Sequence, residues 1–123
     1  MKKFVLVILV LITLCACSNT NKIADEYKAE YKTIEINKAR KLIKEGNTII
    51  IDVRSKKEYK KRHMKNAINI PYNNIDSIIN DVSKDSIVVI YAEDKKVSKK
   101  ATNKVIDLGY SLVYDLGKYK NWN

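Results

Sequence analysis

The stretch Ile87-Val88-Val89-Ile90-Tyr91 is an unbroken apolar, mostly β-branched run, and the polar residues Ala92 to Lys96 that follow it lead into a helical pattern. Such a run without alternation marks a strand buried on both faces, which belongs in a parallel sheet covered by helices. Thr48-Ile49-Ile50-Ile51-Asp52-Val53 is a second run of the same kind. Between and around them the apolar period changes to that of helices. Ala39, Leu42 and Ile43 fall on one face, with Asn37 as the expected cap and Gly46 as the stop. Ser55-Lys56-Lys57-Glu58 fits a capping box, with Tyr59 as the inward residue of its helix. Ile75, Ile78, Ile79 and Val82 have helical spacing, as do Val97, Ala101, Val105 and Leu108 before Gly109.

Three weaker segments complete the pattern. Thr33 to Ile36 is an edge-strand candidate, Ala67 to Pro71 a short strand ended by proline, and Ser111 to Tyr114 a last strand. Gly117 to Trp122 reads as a terminal turn or helix with Trp122 as an apolar plug. Strands alternating with helices give an α/β fold, a parallel sheet of about five strands flanked by helices on both faces. The chain has only three glycines, none clustered, so no glycine-rich phosphate loop is present.

The first residues carry a different message. Lys2 and Lys3 precede a nearly continuous apolar run from Phe4 to Leu14. The run is too short to cross a bilayer as a helix, which takes about 20 residues, and has the layout of a secretory signal peptide. Leu14-Cys15-Ala16-Cys17 resembles a bacterial lipobox. That resemblance implies cleavage after Ala16 and a diacylglyceryl thioether on Cys17. The expected organisation is therefore a signal peptide at 1–16, a lipidated cysteine and polar tether at 17–32, and one domain at 33–123. The tether, if flexible, reaches roughly 20 Å, and Asp25 to Tyr31 has the option of a helical turn. The expected location is the cell membrane, lipid-anchored, facing outside the cytoplasm. Two acyl chains suffice for stable attachment.

Cysteine count then limits the chemistry. The chain has two cysteines; Cys15 leaves with the leader and Cys17 carries lipid. The mature protein has no free thiol, no intramolecular disulfide and no cysteine metal site, and no metal or cofactor is expected. Net charge is +10, and loss of Lys2 and Lys3 leaves 22 basic against 14 acidic residues, or +8. Composition bias accounts for this, as does attraction to an anionic membrane. A nucleic-acid partner is not expected, because no aromatic–basic motif accompanies the charge.

The order and spacing of several motifs resemble a rhodanese domain over about residues 33 to 123. These are Asp52-Val53-Arg54, Glu58-Tyr59, the run from His63 to Pro71, the strand and loop up to Ser98, Leu108-Gly109-Tyr110, and Trp122. The resemblance implies sulfane-sulfur transfer through a loop thiolate held in a cradle of N–H groups. It also places Asp52, Arg54, Glu58 and His63 in a structural polar network, with Glu58 as a partner for Arg54. The family pattern is not intact. Arg62 and Asn66 replace two glycines of the middle motif. In the active loop Ala92 stands at the cysteine, Lys95 at the glycine and Val97 at the arginine, while Ser98 matches. The loop from Ala92 to Val97 has six positions, as in the family's sulfurtransferases.

A persulfide cannot form on alanine, and Glu93 and Asp94 add negative charge where an anion would sit, unless Asp94 caps the helix instead. The favoured reading is a lipid-anchored, catalytically inactive module that binds a partner protein or ligand. A second reading keeps a small-anion site (sulfate, sulfite or phosphate) at Lys95, Lys96 and Ser98, with Lys99 adding charge, because a helix start favours anions. A third retains an enzyme with Ser98 as nucleophile, which needs a base within hydrogen-bond reach. His63 is the only histidine.

Overall fold

A computed structural model describes residues 29–120. The leader, Cys17, most of the tether and Trp122 lie outside the described residues. Five strands form one parallel sheet in the order β1-β5-β4-β2-β3. They are β1 (Lys32–Thr33), β2 (Thr48–Asp52), β3 (Ile68–Asn69), β4 (Ile87–Ala92) and β5 (Val113–Lys118). The helices are α1 (Ile36–Glu45), α2 (Lys56–Lys61), α3 (Ile78–Asp81) and α4 (Lys95–Asp107), with a 3-10 segment at Tyr72–Ser77 running into α3.

β2 and β4, the two runs with no polar alternation, pair over their whole lengths at the middle of the sheet. Their side chains divide between two cores. Ile51, Val53, Val88, Ile90 and Ala92 face α4, α3 and the 3-10 segment, packing on Ala101, Val105, Ile75 and Ile78. Ile50, Val89 and Tyr91 face the other way, onto Ala39 of α1 and the Met64–Ala67 segment after α2. Helices therefore cover both faces. Among the described residues, no helix is long and apolar enough to cross a membrane.

The structure departs from the sequence expectations in a few places. α1 starts at Ile36, one residue before the expected cap Asn37, and Glu35 at the cap position makes no side-chain capping bond. Ile36 packs into the α1 core, so the first turn forms early enough to bury it. Ile79 is 55% exposed, whereas Ile75, Ile78 and Val82 are buried. The 3-10 segment repeats every three residues, stacks Ile75 over Ile78, and turns Ile79 out to solvent. No helix begins at 29–31, and the remainder of the expected 25–31 turn lies outside the described residues.

β5 runs to Lys118, four residues past the expected end, and takes in Gly117, which had looked like a chain-turning glycine. The register explains it. Asp115 pairs with Ile90 but Gly117 pairs with Tyr91, so Leu116 is an extra residue in a bulge. Gly117 has φ +87°, a conformation costly for any residue with a Cβ. Its N–H donates to Asp115 Oδ1 at 2.8 Å, which holds the bulge closed.

The core makes a direct prediction. Ile90→Ala removes a fully buried side chain from the central strand. It lowers unfolding stability by about 2–5 kcal/mol in chemical denaturation; a loss below about 1 kcal/mol contradicts the packing described.

Candidate functional site

In a parallel α/β sheet the site lies where strands end and helices begin. Here that region is built on Asp52, the last residue of β2, which is fully buried. A buried carboxylate is costly unless paired and hydrogen-bonded, and this one is. Arg54 Nη2 meets Asp52 Oδ2 at 2.8 Å, and Arg54 Nε approaches Oδ1 and Oδ2 at 3.1 and 3.2 Å. The Arg54 backbone N–H donates to Oδ1 at 2.9 Å. From β4, the Tyr91 hydroxyl donates to Oδ2 at 2.6 Å and accepts from Met64 N–H at 3.1 Å.

The guanidinium of Arg54 has further contacts. Its Nη2 also donates to the Arg62 carbonyl at 2.6 Å, and its Cζ lies 4.2 Å from the Tyr119 ring centre. Burial alone would lower the pKa of Arg54, but the hydrogen bonds and charge of Asp52 outweigh it, so the guanidinium is held charged. For Tyr91, burial and then the bond to Asp52 push the phenol well above its ordinary range, since ionisation would set two anions side by side. Asn69 of β3 donates to the Asp52 and Arg54 carbonyls, both at 3.0 Å, and ties the edge of the sheet to the same point.

Of the four residues expected in one network, the structure brings Asp52 and Arg54 together. Glu58 does not bond Arg54; it lies on α2, where its N–H donates to the Ser55 hydroxyl cap at 3.2 Å, and it acts on Arg54 only as a more distant charge. The carboxylate two residues before Arg54 reaches it along the same strand end and takes that place. His63 is exposed and outside the network: its Nδ1 lies 2.8 Å from the Tyr59 carbonyl, and its ring stacks on Tyr59 at 3.8 Å.

The second half of the site is the turn from β4 into α4. Only Glu93 and Asp94 separate them, because Lys95 and Lys96 already belong to the helix. The six positions from Ala92 to Val97 are thus a tight corner rather than an open loop. Ala92 is fully buried, and its carbonyl accepts from Tyr119 N–H at 2.7 Å. Asp94 caps α4, its Oδ1 accepting from Val97 N–H at 2.9 Å, and its carbonyl accepts from Ser98 N–H at 3.2 Å. Of the helix-start N–H groups, Val97's is thereby taken by the chain itself. Ser98 is buried, its hydroxyl turned back to the Lys95 carbonyl at 3.1 Å. Lys95 and Lys96 are exposed, and Val97 packs against the α4 core. Among the described residues no cluster of His, Cys, Asp or Glu could hold a metal ion.

Sequence reasoning passed over Tyr91, Tyr119 and Asn69. Tyr91 carried a usable signal: a hydroxyl inside a strand buried on both faces needs a partner, and a nearby buried acid is the natural one. Tyr119 carried none, because its position depends on the bulge that lengthens β5.

Comparison with known proteins gives a consistent picture. The family model for the rhodanese-like domain matches residues 35–123. A thiosulfate sulfurtransferase, GlpE, of Coxiella burnetii is 26% identical over 93 residues, covering 75% of this chain and 87% of that protein. Among solved structures, the human single-domain sulfurtransferase TSTD1 superposes with a TM-score of 0.64 at 21% identity, covering 76% of this chain and 96% of that one. A rhodanese-related protein from Thermoplasma volcanium gives 0.64 at 23% identity, covering 75% and 90%. A rhodanese with anions from E. coli gives 0.54 at 29% identity, covering 58% and 86%.

Two measurements check the network. Asp52→Ala strands a buried cation and costs about 3–5 kcal/mol, while Tyr91→Phe costs about 1.5–3 kcal/mol, both read by denaturant unfolding. Alkaline titration reads a second, half-buried phenol. Burial and the 2.5 Å bond from its hydroxyl to Asp115 push Tyr31 from 10.0 up to about 12. The unfolded chain therefore releases this proton first, and stability falls as pH rises from about 10 to about 12. Tyr31→Phe flattens that fall; an unchanged slope contradicts the assignment.

Proposed function

The chain belongs to the rhodanese-like domain family and is related to its sulfurtransferases, and from that premise we propose that it does not transfer sulfur and works as a lipid-anchored binding module. One observation carries the proposal: the residue at the strand end where a sulfur-carrying thiolate belongs is Ala92, fully buried with its carbonyl bonded to Tyr119. Sulfur transfer through a persulfide needs a low-pKa thiolate beside free N–H donors. Neither cysteine of the chain lies within 29–120, and the Val97 N–H is taken by Asp94. The small-anion reading loses Ser98, which is buried, and keeps Lys95 and Lys96, which are exposed. The serine-nucleophile reading fares no better, because the Ser98 hydroxyl is turned to the Lys95 carbonyl rather than to a base.

The anchor is the second half of the proposal. Cleavage after Ala16 and acylation of Cys17 hold the domain on the outer side of the cell membrane, where it binds another exported protein or ligand.

Thiosulfate:cyanide sulfurtransferase assay of the protein lacking residues 1–17 tests the first half. No thiocyanate forms above background, and none forms with Ala92→Cys alone, because a thiol buried among apolar side chains keeps a raised pKa. Adding Lys95→Gly and Val97→Arg to Ala92→Cys is needed before turnover appears. Turnover by the unaltered protein overturns the proposal. For the anchor, Cys17→Ser moves the protein from the membrane pellet to the soluble fraction; retention in the pellet contradicts it.

A further inference from the structure

The lysines of α4 form a stripe of like charge, of which Lys99 and Lys104 also lie over the rings of Tyr31 and Tyr72. Lys95, Lys96, Lys99, Lys100 and Lys104 are all exposed, and the only acid in the helix is Asp107 at its far end. Three pairs of these cations (95 with 99, 96 with 100, 100 with 104) stand four residues apart, where like charges repel along a helix. An exposed helix that had only to be soluble would set acids among them. α2 is basic too, but it carries Glu58 and covers the opposite face of the sheet.

The position of this stripe adds to its charge. Ala29 and Tyr31, the first described residues, pack on the α4 side of the sheet, and Lys99 Nζ lies 5.4 Å from the centre of the Tyr31 ring. A groove of about 600 Å³ opens there, and Tyr31, Ile36, Lys95, Lys99 and Lys120 are among the residues that line it. Glu35 also lines it. The Asp115 carboxylate in its floor is buried and already accepts from Tyr31 and Gly117. The chain from the amino-terminal side thus reaches the domain directly beside these lysines.

We propose that Lys95, Lys96, Lys99, Lys100 and Lys120 form a docking face for the anionic headgroups of the membrane. This rests on the reading of Cys17 as the lipid anchor. The twelve residues from Cys17 to Lys28 extend at most about 40 Å, little more than the roughly 30 Å width of a small domain. The side on which they join the domain is the side kept nearest the lipid. Each lysine brought to an anionic surface strengthens the contact about fivefold. The degenerate corner at Glu93 and Asp94, which leads into Lys95, is carried toward the bilayer with it.

Lysine footprinting of the full-length, naturally processed protein tests this face. The protein is reconstituted in phosphatidylcholine vesicles with or without phosphatidylglycerol, acetylated briefly, and each lysine is read by mass spectrometry. With phosphatidylglycerol, the five lysines react about fivefold more slowly or less, while Lys56, Lys57, Lys60 and Lys61 keep their rates. High salt removes the difference, and Lys95→Gln with Lys99→Gln removes it at Lys96, Lys100 and Lys120. Equal rates in both vesicles, or slowing on α2 instead, overturn the proposal. The intact mass of the same sample reports the acyl chains separately. If they are missing the anchor reading fails, and the same footprint with added vesicles still decides the docking face.

Discussion

The carboxylate of Asp52 is the point on which the carboxyl end of the sheet depends. It is a fully buried charge, and among the described residues Arg54 is the buried cation that neutralises it. The price of burying it is met by geometry that gathers five segments. β2 supplies the acid, β4 the Tyr91 hydroxyl, and Arg54, two residues past the end of β2, the guanidinium clamp. The end of α2 adds the Arg62 carbonyl, and β3 adds Asn69. Removing one partner alone leaves the other as an uncompensated buried charge, so the two residues stand or fall together.

That same network decides what the site is able to do. Its polar groups point at one another and leave little for a ligand. Arg54, the strongest cation near the strand ends, is covered by Asp52, the Arg62 carbonyl and the Tyr119 ring. The corner beside it is closed just as thoroughly, with Ala92 bonded to the carboxyl-terminal stretch and Asp94 spending its carboxylate on Val97. A catalytic cradle is a set of donors held ready and unsatisfied until a charge develops. Here the donors at Val97 and Ser98 are satisfied internally, which makes the region rigid. The lysines of α4 remain open to solvent on the outer side of that helix.

Much of this was legible in the residues. The two β-branched runs fixed β2 and β4, and helical spacing fixed α1 and α4, because burial on both sheet faces leaves no room for alternation. Ser55 and Asp94 were legible as caps because their partners are three residues away on the same helix start. The motif order identified the family, and the same resemblance implies Ala92 at the reactive position. What escaped the reading depends on partners distant in sequence. Glu58 looked like the mate of Arg54 because it is acidic and near in the chain, but the register of β2 brings Asp52 closer. The reach of β5, and with it the place of Tyr119, follows from a bulge that only pairing with β4 reveals. Ile79 was assigned inward because α-helical spacing was assumed from Ile75 on, where the chain makes a 3-10 segment up to Ser77 before it enters α3.

The central claim is that this rhodanese-like domain has no atom on which to carry sulfur. Its most direct test is the intact mass of the mature protein before and after incubation with excess thiosulfate. An unchanged mass is the result this account predicts. A gain of one sulfur atom, lost again on treatment with a thiol reductant, contradicts it.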